Sequence, residues 1–142
     1  MTPQVCCDRY IELFENLTPP RLDELSRLVS DEVHFRDPFN DVRGRAAMRR
    51  VLEDMFERTQ QPRFRVSQRS VEGDRAFLAW TFSARAPVLG NWSVDGVSLL
   101  QFDGAGRVAS HLDYWDSGRL YARLPLLGCL IRRLRRRLSA NS

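Results

Sequence analysis

The 142-residue chain has no lysine, and all 22 of its basic residues are arginine. That usage is compositional, the mark of a GC-rich bacterial genome, and carries no mechanism of its own. Cysteine is scarce as well. Cys6, Cys7 and Cys129 do not make a disulfide framework, and no C-x-x-C or Cys/His spacing suggests a zinc site. The adjacent Cys6 and Cys7 fall on the first predicted helix, where one would be buried as a small hydrophobe. No apolar run reaches the ~18 residues of a membrane span. The N-terminal stretch MTPQVCCDRYIELFE lacks the basic and apolar regions of a secretory signal, so a cytoplasmic location is expected. Acids are missing after Asp116, whereas seven arginines (119, 123, 132, 133, 135, 136 and 137) lie beyond it. The formal charge of +4 therefore divides into a mildly acidic body, 15 arginines against 18 acids, and a strongly basic tail. Nucleic-acid binding would need that charge on a recognisable module with stacking or groove-reading elements, and none is present, so no nucleic-acid partner is expected.

With 43% apolar and 28% charged residues the chain reads as an ordinary globular protein rather than a disordered one. Its length suits a single domain, with no repeat or interdomain linker before the tail. Tyr10, Leu13, Phe14 and Leu17 sit at helical spacing over about 4–17 until Thr18-Pro19-Pro20 stops the helix. Pro19-Pro20 then opens a second helix carrying Leu22, Leu25, Leu28 and Val29, which ends at Ser30-Asp31. Val33 to Arg36 reads as a short strand closing at Asp37-Pro38. A third helix is expected over about 45–58, with Met48, Val51, Leu52, Met55 and Phe56 inward. Strands follow over 63–72, 75–86, 92–102 and 107–116, with turn signals at Gly73-Asp74 and Asp103-Gly104-Ala105-Gly106. Three helices followed by consecutive hairpins make an α+β pattern, the helices covering one face of a curved antiparallel sheet.

Three segments in this order carry a family likeness: DRY at 8–10, FRDPF at 35–39 with RGRAAMRR at 43–50, and QFDGAGRV…HLDYWD at 101–116. On these the chain resembles the nuclear transport factor 2-like superfamily, in particular its SnoaL-like and ketosteroid isomerase-like members. The resemblance covers about 5–116 and implies a cone-shaped domain over 1–116, with 117–142 as a basic amphipathic extension. It implies a pocket, not one function, because the fold hosts isomerases, cyclases, epoxide hydrolases and non-catalytic binding modules. By resemblance to the steroid isomerases, Tyr10 donates to a substrate oxyanion and Asp37, in the D-P motif, moves the proton. Ser98 stands where those enzymes hold a neutral Asp, a weaker donor that departs from their pattern. Asp113 matches the first Asp of the limonene-type epoxide hydrolases' last strand. The strand LAWTFSA offers no Arg or Asp for the rest of their relay, so that mechanism is not expected.

Period-two alternation on the final strand puts His111, Asp113 and Trp115 on one face and Leu112, Tyr114 and Asp116 on the other. By resemblance the first set faces the interior. Asp37 and Asp113 would then share an apolar pocket with His111, Tyr10 and Ser98, and Trp115 would form part of its wall. Two functions follow as expectations. One is a cofactor-independent acid–base enzyme acting on a small hydrophobic carbonyl compound, with Asp37, Tyr10, Asp113 and His111 catalytic and Ser98 and Trp115 binding substrate; no metal site is expected. The other is a non-catalytic module for a lipid-like ligand or a partner protein. Asp37 has a plainer reading too, as the residue closing an Asx-type turn.

Two surfaces add expectations about partners. Phe77, Ala79, Thr81 and Ser83 alternate with Leu78, Trp80 and Phe82, so the middle strands are apolar on both faces and a homodimer through the sheet is expected. In the tail, Pro125 and Gly128 divide two short pieces, the second over about Leu126–Leu138. Leu127, Leu130, Ile131, Leu134 and Leu138 share one face of it, and five arginines crowd the rest. That stripe is expected to close the cone's open end, against the protein's own helices or pocket mouth, or to pack on a dimer partner, the alternative being peripheral contact with an anionic membrane.

Overall fold

The computed structural model describes residues 1–123 and 127–139. Helix α1, Pro3–Glu15, starts where Thr2 caps it by accepting from the Val5 amide. Its buried face is Cys6, Cys7, Tyr10, Ile11 and Leu13, so both neighbouring cysteines are buried rather than one. The expected second helix is shorter and tighter than its leucine spacing implied. Pro19–Glu24 forms a 3-10 turn and α2 is the single turn Leu25–Leu28. The chain enters strand β1, Val29–Arg36, four residues earlier than expected because Val29 and Val33 are wholly buried in the sheet. A three-residue strand, β2 (Asp41–Arg43), then precedes α3, Arg45–Arg58. Four long strands complete the sheet: β3 Gln60–Glu72, β4 Arg75–Ala86, β5 Gly90–Phe102 and β6 Val108–Trp115.

The six strands lie in the order β2-β1-β6-β5-β4-β3. Every neighbouring pair is antiparallel, as expected of the hairpins, except one: β1 runs parallel to β6. The reason is the route of the chain. Helix α3 carries it from β2 at one edge to β3 at the other, and three hairpin reversals then return β6 beside β1 in the same sense. The curved, open sheet is covered on one side by α1, α2 and α3. Between them lies one core that includes Leu13, Leu22, Leu25, Val33, Met48, Leu100 and Val108.

Beyond the sheet, α4 is the turn Gly118–Tyr121 and α5 runs over Leu127–Leu138. Pro125 and Leu126, where the tail was expected to break, lie outside the described residues, as do the side chains of Leu127 and Ile131. Gly128 is buried so close to the Ala122 carbonyl that a side chain could not stand there. Arg132 Nη1 donates to that carbonyl, and Arg135 Nη2 pairs with Asp116 Oδ2 at 2.6 Å. The three leucines of the stripe whose side chains are described do not pack on the body. Leu130, Leu134 and Leu138 are 63%, 53% and 78% exposed, because the contacts that hold α5 come from its glycine and arginines.

Candidate active site

Ser98 on β5 stands directly opposite Asp113 on β6, and Leu100 opposite His111, so the sheet register sets Ser98, His111 and Asp113 side by side on the helix-covered face. Tyr10 reaches the same point from α1. Its hydroxyl, wholly buried, lies 2.6 Å from His111 Nδ1, and His111 Nε2 lies 2.7 Å from Asp113 Oδ1. From the other side Trp80 Nε1 donates to Ser98 Oγ at 2.8 Å, and the Ser98 hydroxyl donates to the same Asp113 oxygen.

With His111 neutral, these bonds take one direction. An ionised Asp113 accepts only, so Nε2 of His111 carries the proton and Nδ1 accepts from the Tyr10 hydroxyl. Burial pushes the Tyr10 phenol well above its ordinary pKa of 10, with the Asp113 charge adding to the effect, so it stays a donor. Two arms, Tyr10–His111 and Trp80–Ser98, therefore converge on Oδ1 of Asp113. No donor among the described residues meets Oδ2.

Asp113 also borders a cavity of about 500 Å³. Its walls are mostly apolar, among them Phe35, Met55, Phe64, Phe82, Val94 and Trp115, with polar groups from Asp37, Asn40, Asp54, Arg58 and Thr59. Tyr10, Ser98 and His111 do not reach this space. They line a much smaller void behind Asp113, of about 30 Å³. Tyr10 and Ser98, expected as donors to a substrate oxygen, here give their hydroxyls to His111 and Asp113 inside the protein.

Asp37 lies elsewhere on the cavity wall and is occupied differently. Its Oδ1 accepts from the amides of Phe39 and Asn40 and from Asn40 Nδ2 at 2.7 to 3.0 Å, and Oδ2 accepts from Asn40 Nδ2 at 3.2 Å. That is the turn-closing role, and Asp37 makes no hydrogen bond to the Asp113 cluster. Trp115 faces the cavity and packs edge-on against Phe39, with ring centroids 5.4 Å apart.

Three members of the site were not singled out from the sequence. For Trp80, Gly96 directly across from it on β5 is a signal: the indole lies over a position with no side chain and so reaches Ser98. Asn40 was missed although D-P-x-N is an Asx-turn spacing. Trp92 is in the cavity lining, and its buried Nε1 has no hydrogen-bond partner among the described residues, for which the sequence gives no signal. No group of three or more His, Cys, Asp or Glu is gathered for a metal ion among the described residues.

With that geometry in place, the profile of the SnoaL-like domain family matches residues 8–111. Curated proteins provide no match. Among solved structures, the chain resembles a protein with a ketosteroid isomerase-like fold from Catenulispora acidiphila, in complex with trimethylamine. The TM-score is 0.73 at 15% identity, covering 88% of this chain and 96% of the other. A SnoaL-like polyketide cyclase from Agrobacterium tumefaciens gives 0.66 at 17% identity, covering 82% of this chain and 92% of the other. An LEH-like epoxide hydrolase from M. tuberculosis gives 0.68 at 16%, covering 93% and 95%.

Proposed function

Because the chain belongs to the SnoaL-like domain family, we propose that it is an acid–base enzyme in which Asp113 exchanges a proton α to a carbonyl of a small hydrophobic substrate. The observation that carries this reading is the state of the Asp113 carboxylate: one oxygen is clamped by two hydrogen-bonded arms, the other meets no donor among the described residues, and the residue borders an apolar cavity. A general base must be held in position yet keep a lone pair free for the substrate proton. His111 and Tyr10 are positioning residues, and so are Ser98 and Trp80. The substrate's oxygen needs a donor as negative charge develops on it. Arg58 and Asn40 are lining residues with N–H groups to offer it. Asp37 shapes the cavity rim through its turn instead of moving the proton.

Incubation with a panel of enolisable hydrophobic ketones in D2O, followed by proton NMR, tests the reading. Deuterium should enter α to the carbonyl of at least one ketone. Asp113→Asn should slow that exchange by roughly 10²–10⁴-fold, while Asp37→Asn changes it little. A wild-type protein that binds such ketones yet exchanges no proton would instead be the non-catalytic binding module, which the apolar walls would also serve.

A further inference from the structure

Helix α5 is amphipathic, with its apolar side outward. Leu130, Leu134 and Leu138 recur every fourth residue and so stack along one face, and all three are more than half exposed. Five arginines, 132, 133, 135, 136 and 137, cover the rest of the circumference, and the chain has no acid after Asp116. Arg132 and Arg135 fasten the helix to Ala122 and Asp116. Arg133, Arg136 and Arg137 make no ion pair or hydrogen bond with any described residue.

Each possible occupant of this face must satisfy leucines and arginines together. A nucleic acid would neutralise the arginines and leave the leucines in water. A second α5 would cover the leucines but bring two arginine clusters into repulsion. An anionic lipid interface takes both at once, the leucines among acyl chains and the arginines among headgroup phosphates. We propose that α5 is a docking helix for anionic membranes. It leans on α4, whose Leu120 lines the large cavity, so docking holds one wall of that cavity beside the lipid. The docking itself does not depend on the acid–base reading of Asp113.

Co-sedimentation of the full chain with phosphatidylcholine vesicles, with and without phosphatidylglycerol, tests this. Binding should require the anionic lipid and weaken as salt rises. Each arginine near an anionic surface raises partitioning roughly five-fold, so replacing Arg133, Arg136 and Arg137 by Gln should lower it by about a hundred-fold. Replacing Leu130, Leu134 and Leu138 by Gln, at unchanged charge, should also abolish binding. Since all six side chains are exposed, both variants should melt at the wild-type temperature. Failure of the wild type to bind anionic vesicles at low salt overturns the proposal, as does equal binding to neutral ones. Undiminished binding by the leucine variant overturns it too, and so does that variant's keeping wild-type affinity for a mixed-sequence DNA that outcompetes the vesicles. A shift of oligomeric state in the leucine variant, without vesicle binding by the wild type, would assign the stripe to a second copy.

Discussion

Asp113 is held from two directions, and the more deeply buried of the two arms is the one whose loss should be felt in stability. Tyr10→Phe keeps the ring against Phe14, 4.8 Å away between centroids, but leaves His111 Nδ1 buried without its donor. An unmet buried group of this kind costs about 1–3 kcal/mol, so calorimetry should show a melting temperature several degrees lower; an unchanged one would mean the bond contributes nothing. Alkaline pH acts on the same region. Burial raises the Cys6 thiol from 9.0 to about 11 and takes the Tyr10 phenol well above 10. In both cases the unfolded chain loses its proton first, so the stability is fully present below the ordinary pKa and drains away as pH rises toward the folded one. Thermal melts should therefore decline from about pH 9 upward. Cys6→Ala should flatten the part between 9 and 11, and Tyr10→Phe the part beyond 10.

At the scale of strands, the site depends on how β4 lies against β5. Trp80 packs over Gly96, where even a methyl group would enter the indole ring, and from there its Nε1 holds Ser98. Gly96→Ala should thus push the indole aside, at about 1–3 kcal/mol for overpacking, and loosen the Ser98 arm. Chemical denaturation would register the first effect and slower α-proton exchange the second; a variant with wild-type stability and activity would refute the linkage. Strands β4 and helix α3 were legible to the residue, because Gly73-Asp74 and the arginine-flanked apolar spacing of 45–58 are local signals. The grouping of His111 with Asp113 was legible for the same reason, through period-two alternation. What escaped was non-local or too short. Asp41–Arg43 has no room for a pattern, and the pairing of β1 with β6 joins residues more than seventy positions apart. Which oxygen of Asp113 is taken depends on Ser98 and Trp80, neighbours across the strands, which spacing in one chain does not reveal.

For the whole molecule, the uncovered face of the sheet predicts association. Phe77, Leu99 and Leu112 stand in one row across β4, β5 and β6, and Ala79, Val97 and Tyr114 in the next. Phe77, Val97 and Tyr114 are 48%, 44% and 52% exposed, an apolar surface with Arg36 at the Tyr114 ring that a second copy is expected to cover. Light scattering should report a dimer that Phe77→Asp with Val97→Asp converts to monomer, and a stable wild-type monomer at micromolar concentration would exclude it. The place of β6 between β1 and β5 has a different consequence, one of order in time. A chain emerging from its N-terminus first carries β1 with β2, then the β3–β4–β5 meander, as two sheet fragments with no strand to join them. Each fragment exposes an unpaired edge, the kind of surface that invites wrong partners during folding. Only Val108–Trp115 covers both, and that strand brings His111 and Asp113 with it. The closing of the sheet and the arrival of the cavity's carboxylate are thus a single late event, and no nascent chain that stops short of β6 can hold a half-built site.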